Sequence, residues 1–173
     1  MTGERAILGA ILAGGQSRRF GSDKALAMVD GAPMIEIVIA ALGPQVDALA
    51  VCGRDWPGLT SLDDRPGGGA GPLAGLNAAL HHAATRGYAG VLAVPVDVLP
   101  LPPDLRALLV GEGAATFSQQ HAVGYWPASL AGRLDTYLAQ GHRRIDGWIA
   151  LAGARRVDEP LPMRNINRRE DLL

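Results

Sequence analysis

The residues of this chain most suited to chemistry lie in a glycine-rich segment near its beginning. Residues 12–24 read Leu-Ala-Gly-Gly-Gln-Ser-Arg-Arg-Phe-Gly-Ser-Asp-Lys. Glycines let backbone N–H groups approach an anion closely, and the cations Arg18, Arg19 and Lys24 can neutralise phosphate oxygens. The segment therefore predicts a polyphosphate-binding loop. The alternative is a solvated basic loop with glycines at its turns.

The spacing of this segment differs from two common phosphate-binding motifs. It matches neither G-x-x-x-x-G-K-[ST] nor G-x-G-x-x-G. An ordinary P-loop hydrolase and a dinucleotide-dependent dehydrogenase therefore lose support.

Acidic side chains occur at two further positions where a nucleotide could bind. Asp97 follows the apolar run Val91–Val94 almost directly, so its carboxylate could hold Mg²⁺ against nucleotide phosphates; the alternative is a turn or helix cap. Asp63 and Asp64 precede a glycine-rich stretch, residues 67–75. There, backbone groups could line a flat base and a carboxylate could accept hydrogen bonds from guanine. The alternative is an ordinary surface loop.

These residues must be positioned by strands and helices, and the apolar pattern predicts both. Strands are predicted at residues 6–12, 48–52, 91–94, 115–117, 123–125 and 155–157. Helices are predicted at residues 33–42, 72–86, 103–110, 130–140 and 144–151. Alternating strands and helices favour an α/β domain with a mainly parallel sheet. Ligands bind such sheets beyond the carboxyl ends of the strands.

Composition narrows the class of protein. The chain has 173 residues, a formal net charge of −1, 48% hydrophobic and 19% charged residues, which favours one folded domain over residues 1–173. Aromatic residues make up only 5%, which argues against a nucleic-acid partner. The single cysteine, Cys52, excludes an intramolecular disulfide. With no signal peptide and no membrane-length apolar segment, we expect a cytoplasmic protein without a membrane partner.

Five segments, taken together and in this order, resemble the molybdenum cofactor guanylyltransferases. They are residues 12–24, residues 71–75 (Gly-Pro-Leu-Ala-Gly), residues 95–97 (Pro-Val-Asp) ahead of 102–105, residues 141–144, and residues 165–167 with 170–172. The resemblance implies a fold of the nucleotide-diphospho-sugar transferase type. This is a single-domain, Rossmann-like, three-layer α/β/α sandwich with a mixed, mainly parallel sheet. It also implies that residues 1–100 bind the nucleotide and residues 101–173 bind the acceptor.

The resemblance implies a reaction as well. The terminal phosphate of molybdopterin attacks the α-phosphate of GTP, diphosphate leaves, and Mg²⁺ is required. Lys24, Arg18 and Arg19 would stabilise the charge that develops on the leaving diphosphate. Asp97 would bind the metal. The implied nucleotide-contacting residues are Leu12, Ala13, Gly14, Gly15, Lys24, Asp64, Gly71, Pro72, Leu73 and Asp97.

On the acceptor side, the resemblance assigns contacts with the pterin or its phosphate to Arg144, Asn165 and Asn167. The alternative roles are a solvated helix start for Arg144 and capping of the C-terminal tail for the two asparagines. Transient contact with cofactor-delivery proteins or molybdoenzymes is a further expectation.

GTP is favoured over CTP, because the sister cytidylyltransferases resemble Leu-Ala-Ala-Gly in the first loop and lack the Gly-Pro-Leu segment. The chain departs from the family at three places: Leu99 stands where proline is usual, Cys52 where asparagine is common, and residues 168–169 where Thr-Pro is usual. These departures concern the metal loop, guanine selectivity and the pterin phosphate, respectively.

Other functions remain open from the sequence. They are cytidylyl transfer, nucleotidyl transfer to another phosphorylated acceptor, a nucleotide-sugar pyrophosphorylase, and a non-catalytic relative that binds GTP or the finished cofactor. The histidines and tryptophans are expected to have structural roles; for His81 and His82 no partner carboxylate lies nearby in sequence, and His121 and His142 are isolated.

Overall fold

The structure, a computed structural model, describes residues 5–14, 23–68, 71–167 and 169–172. Its strands are β1 (Ile7–Leu12), β2 (Met28–Val29), β3 (Ala32–Pro33), β4 (Ala48–Cys52), β5 (Thr60–Leu62), β6 (Gly90–Pro95), β7 (Val98–Leu99), β8 (Ala115–Phe117), β9 (Gly124–Pro127), β10 (Arg155–Val157) and β11 (Arg164–Asn165). Its helices are α1 (Met34–Leu42), α2 (Pro72–Arg86), α3 (Leu105–Leu109), α4 (Ala131–Ala139) and α5 (Ile145–Ala152).

The main sheet has seven strands among the described residues, in the order β10-β8-β9-β6-β1-β4-β5. Strand β1 pairs in parallel with β4 and β6, and β4 pairs in parallel with β5. Strand β9 runs antiparallel to both of its neighbours, β6 and β8, whereas β10 is parallel to β8. The prediction of a mixed, mainly parallel sheet is confirmed.

Side chains of the central strands alternate between two apolar cores. Leu8 and Ala10 of β1 pack in one core with α2, α4 and α5. Ile7 and Ile11 of the same strand pack in the other core with α1 and α3. A parallel strand covered by helices on both faces needs apolar residues at every position, which is why the run Ile7–Leu12 carries no polar side chain. The chain is therefore a three-layer α/β/α sandwich.

Helix α2 shows how local sequence sets the element bounds. Pro72 occupies the first helical position, where its missing N–H removes no hydrogen bond, and Gly87 ends the helix with a φ of +80°.

Helix α3 is shorter than predicted, because Asp104 (φ −112°, ψ 28°) and Val110 (ψ 129°) both lie outside helical geometry. No helix among the described residues is long and apolar enough to cross a membrane.

The C-terminal segment returns to the centre of the molecule. Strand β11 pairs antiparallel with β7, so that Arg164 faces Leu99 and Asn165 faces Val98. The backbone N–H of Ile166 then donates a hydrogen bond of 2.7 Å to the carbonyl of Asp97. The segment that follows β11 is thereby held next to the carboxyl end of β6.

Candidate active site

Four neighbouring parallel strands bring the predicted site residues to one edge of the sheet. Strands β1, β4, β5 and β6 end immediately before residues 13–14, Gly53, residues 63–64 and residues 96–97. Hydrogen bonds continue past the strand ends: the N–H of Ala13 donates to the carbonyl of Cys52 at 2.9 Å, and that of Val96 to Leu12 at 3.1 Å. The carboxyl edge of the sheet is where ligands bind in folds of this kind.

Lys24 and Asp97 form an ion pair at this edge. The Lys24 Nζ lies 3.0 Å from Asp97 Oδ2, and the two side chains are 20% and 19% exposed. Asp23 fixes the approach of Lys24: its carboxylate accepts hydrogen bonds from the Ala25 N–H at 3.2 Å and from Arg54 Nη1 at 2.8 Å. A cation and a carboxylate are thus placed together where phosphates and a metal would meet.

Asn167 joins this pair from the C-terminal segment. Its side-chain oxygen lies 3.5 Å from Lys24 Nζ, and its backbone N–H donates to Asp171 Oδ2 at 2.9 Å. Asn165 is exposed on β11, and Arg144 is exposed just before α5. Within the described part of the chain, the structure brings Asn167 into contact with the Lys24–Asp97 pair but does not bring Arg144 there.

Three glycines lie close to the Asp64 carboxylate. A Cβ atom at Gly14, Gly53 or Gly75 would lie 3.7, 3.5 or 3.7 Å from Asp64 Oδ1. Gly53 has a φ of +89°, and a Cβ there would overlap the backbone of Gly14. The absence of side chains at these positions therefore lets the ends of β1 and β4 and the start of α2 pack closely together around the carboxylate.

The Asp64 carboxylate is half-buried and forms no hydrogen bond or ion pair with the described residues. Burial, with a smaller contribution from the negative charge of Asp63, raises its pKa. A carboxylate without an internal partner retains its full capacity to accept hydrogen bonds from a ligand.

The first turn of α2 lies close to Asp64, because a Cβ at Gly75 would lie 3.7 Å from Asp64 Oδ1. Gly71 precedes the helix with a φ of +79°, and Gly71 and Pro72 are exposed. The Leu73 side chain is only 1% exposed and packs in the core, so it is not available to a ligand. The carbonyl of Ala74 accepts a hydrogen bond of 3.0 Å from the N–H of Arg65, which attaches the loop after β5 to the helix.

Cys52 lies next to Gly75 but is chemically inert. Its side chain is 1% exposed, and a Cβ at Gly75 would lie 3.2 Å from the Cys52 Cβ. Burial, with a contribution from the charge of Asp64, raises the pKa of the Cys52 thiol to about 12. The thiol therefore stays protonated at neutral pH and cannot act as a nucleophile.

The donor set at Asp97 fits one mode of metal binding. Among the described residues, no group of three or more His, Cys, Asp or Glu side chains could enclose a metal. In nucleotide-dependent enzymes, however, Mg²⁺ is usually held by one or two carboxylates together with substrate phosphates and water. A single carboxylate at the strand end, next to a lysine, matches that arrangement.

Several predicted residues lie outside the described part of the chain: Gly15, Arg18, Arg19 and Arg168. Two histidines have partners that their sequence neighbourhood did not indicate. His81 Nε2 lies 3.0 Å from Asp135 Oδ2, and His121 Nδ1 lies 2.8 Å from Asp146 Oδ1. The expectation that His121 is isolated was wrong, because α5 brings Asp146 to it from 25 residues further along the chain.

Sequence reasoning also missed Asn77, which is fully buried on α2 and donates hydrogen bonds to the carbonyl of Arg65 and to Asp135. The available signal was an asparagine in an otherwise apolar stretch of helix. The tryptophans behave as expected: Trp126 and Trp148 are buried, with ring centroids 5.8 Å apart.

Comparison with known proteins agrees with this architecture. The family described as MobA-like NTP transferase domain matches residues 9–157. A molybdenum cofactor guanylyltransferase of Rhodobacter capsulatus is 40% identical over 177 residues, and one of Cereibacter sphaeroides is 38% identical over 183 residues. Each alignment covers 96% of this chain and 93% of the relative.

Among solved structures, molybdopterin-guanine dinucleotide biosynthesis protein A from Archaeoglobus fulgidus has the same fold. It superposes with a TM-score of 0.75 at 21% identity, covering 95% of this chain and 94% of that one. With relatives at 38–40% identity over nearly the full length and a family match across most of the chain, this chain belongs to the MobA-like NTP transferase family and, within it, to the molybdenum cofactor guanylyltransferases.

Proposed function

We propose that this protein transfers GMP from GTP to molybdopterin, releasing diphosphate and forming molybdopterin guanine dinucleotide. Membership of the family supports the reaction. The single observation that carries the assignment to this chain is that the Lys24–Asp97 pair and the unpartnered Asp64 carboxylate occupy the same edge of the sheet. One end of that edge suits phosphates, and the other suits a base.

On the phosphate side, Lys24 neutralises the oxygens of the diphosphate as it leaves. The Asp23 carboxylate accepts hydrogen bonds from the Ala25 N–H and from Arg54, which fixes the backbone on both sides of Lys24. With its ammonium also paired to Asp97, Lys24 is positioned before the nucleotide arrives. A preorganised cation stabilises the transition state without reorganising solvent. Arg18 and Arg19 are assigned the same role from the sequence.

Asp97 is the residue that would hold Mg²⁺. When bound, the ion would supply Lewis-acid polarisation of the phosphates and additional neutralisation of their charge. No step needs a protein nucleophile, because the acceptor phosphate itself attacks the α-phosphate.

On the base side, Asp64 favours guanine. A carboxylate only accepts hydrogen bonds, and guanine presents two adjacent donors, N1–H and the 2-amino group. Cytosine presents one donor beside two acceptors on the corresponding edge, and an acceptor facing the carboxylate is repelled. Cys52 is buried, so guanine selectivity depends on Asp64 rather than on an asparagine at that position.

On the acceptor side, Asn167, Asn165 and Arg144 are proposed to contact molybdopterin. Asn167 has the strongest support, because its side chain lies beside Lys24 at the phosphate end of the site. In this scheme residues 1–100 bind the nucleotide and residues 101–173 bind the acceptor. The product would then pass to a cofactor-delivery protein or a molybdoenzyme.

A turnover assay tests the proposal. Purified protein is incubated with molybdate-loaded molybdopterin, Mg²⁺ and either GTP or CTP, and the nucleotide released by acid hydrolysis of the pterin product is identified. We expect GMP from the GTP reaction alone, and none with Asp97→Asn. Formation of CMP in preference to GMP would contradict the base assignment. Measurable GTP binding without product from either nucleotide would favour the non-catalytic alternative.

A further inference from the structure

The residue that follows Asp64 is attached to helix α2 at two backbone atoms. The N–H of Arg65 donates to the carbonyl of Ala74 at 3.0 Å, and the carbonyl of Arg65 accepts from Asn77 Nδ2 at 3.1 Å. One bond uses the helix backbone and the other a side chain. Together they fix the peptide groups on both sides of the Arg65 Cα.

Asp135 of α4 completes this attachment. Its carboxylate accepts hydrogen bonds from Arg65 Nε at 3.2 Å, Arg65 Nη2 at 3.1 Å and Asn77 Nδ2 at 2.7 Å. The His81 ring nitrogen lies 3.0 Å from the second carboxylate oxygen. The hydrogen bond from Arg65, followed by that from Asn77, holds the pKa of Asp135 below its usual value despite partial burial. Asp135 is therefore ionised at neutral pH.

The burial of Asn77 is unfavourable for the stability of the fold. It is 0% exposed, and its side-chain oxygen has no hydrogen-bond partner among the described residues. A buried acceptor left unpaired is destabilising, and an apolar side chain of similar size would avoid this cost. The compensating gain is on the donor side, where the same amide group holds both Arg65 and Asp135.

We propose that Asn77 and Asp135 are positioning residues for guanine recognition, acting by clamping Arg65 and so fixing the orientation of the neighbouring Asp64 carboxylate. Asp64 has no hydrogen bond of its own to the described residues, so its direction is set mainly by the backbone on either side of it. The inference rests on the proposed function, in which Asp64 receives guanine.

If substitution of Asn77 or Asp135 frees Arg65, we expect the protein to discriminate less between bases and not to lose nucleotide binding in general. Hypoxanthine keeps the N1–H of guanine but lacks the 2-amino group, so ITP loses one of the two hydrogen bonds to Asp64. Loosening the clamp should weaken GTP binding about 2- to 12-fold, the equivalent of one hydrogen bond of about 0.5–1.5 kcal/mol, and should weaken ITP binding less. Binding of inorganic diphosphate, which contacts only the phosphate side, should not change.

The experiment measures dissociation constants for GTP, ITP and inorganic diphosphate by calorimetry, together with melting temperatures. The variants are Asn77→Ala, Asp135→Asn and Asp64→Asn, with Asp104→Asn as the control at an exposed carboxylate outside the clamp. Asp135→Asn changes a partly exposed residue isosterically, so it remains informative if Asn77→Ala fails to fold.

The proposal predicts that the ratio of ITP to GTP dissociation constants falls in all three variants and stays unchanged in the control, while diphosphate binding stays constant throughout. A lower melting temperature with an unchanged ratio in Asn77→Ala and Asp135→Asn would overturn it, because the clamp would then be purely structural. If only Asp64→Asn lowers the ratio, guanine recognition stands and the clamp fails. If the wild type binds GTP and ITP equally well and Asp64→Asn changes neither dissociation constant, the assignment of Asp64 to the base fails, and the proposed role of the clamp fails with it.

Discussion

The ammonium of Lys24 and the carboxylate of Asp97 lie 3.0 Å apart, although 73 residues separate them in the chain. Lys24 reaches the pair from the turn after the glycine-rich segment, and Asp97 from the end of β6. Both charges are four-fifths buried. A phosphate entering the site therefore meets a cation whose position is already fixed. Substitution of Asp97 tests metal binding, and substitution of Lys24 tests phosphate binding.

Asp97→Asn should remove most of the transfer activity while leaving the fold intact. The amide keeps an oxygen that can accept from Lys24, but it loses the negative charge that a divalent cation requires. We expect GMP transfer to fall by at least about 100-fold, as when one electrostatic element of a transition state is removed. Initial rates at saturating Mg²⁺ measure the effect. Asp104→Asn, at an exposed carboxylate, should keep full activity, and a fully active Asp97→Asn enzyme would remove the metal role.

Lys24→Ala should weaken binding of the nucleotide phosphates and not of the nucleoside. Hydrogen bonds to a charged group are worth about 1.5–3 kcal/mol, so GTP affinity should fall about 10- to 100-fold. Guanosine, which has no phosphates, should bind the variant and the wild type equally. Calorimetric titration with both ligands measures this, with Arg86→Ala at the exposed end of α2 as the control. Unchanged GTP affinity would contradict the assignment of Lys24.

The central sheet could be predicted because its strands are short, continuous apolar runs. The runs at residues 7–12, 48–52 and 90–95 are buried on both faces, and the glycine or acidic residues that follow them end each strand abruptly. Parallel pairing then brings those endings together, which is why the phosphate-binding loop and Asp97 were predicted on one edge.

Features that depend on long-range pairing could not be predicted. Strand β5 is a three-residue, mostly exposed edge strand without an apolar run. The β7–β11 pair joins residues 65 or more positions apart, and neither two-residue strand carries a local signal. The Asn77–Asp135 contact spans 58 residues. In each case the stabilising partner lies far along the chain, so the local sequence pattern does not indicate it.

Gly53→Ala should destabilise the protein much more than Gly58→Ala. Both glycines have positive φ, +89° and +81°, so alanine is conformationally strained by about 1–2 kcal/mol at either position. Only at Gly53 would the new Cβ also overlap the backbone of Gly14; at Gly58 no atom lies within 4 Å. We expect Gly53→Ala to lower the free energy of unfolding by about 2–4 kcal/mol. Urea denaturation measures both variants, and equal effects would show that the contact with Gly14 is relaxed easily.

The last prediction concerns Asp64, whose raised pKa makes it both a binding group and a source of instability. Because burial raises its pKa in the folded protein, the ionised form is destabilising at any pH above that value. The penalty disappears as the pH falls below the ordinary aspartate pKa of about 3.9, where the group is protonated in both states. Without nucleotide, Asp64→Asn should therefore melt at a higher temperature than the wild type at neutral pH, and the difference should shrink on acidification.

Binding should change in the opposite direction. Only the ionised carboxylate accepts two hydrogen bonds from guanine, so wild-type GTP affinity should fall as the pH drops through the raised pKa of Asp64. Dividing the GTP affinity of the wild type by that of Asp64→Asn at each pH cancels the titration of the nucleotide phosphates. We expect this ratio to exceed one at neutral pH and to decline at a higher pH than an ordinary aspartate would produce. A ratio independent of pH would mean that Asp64 does not contact the base, even if the variant is more stable.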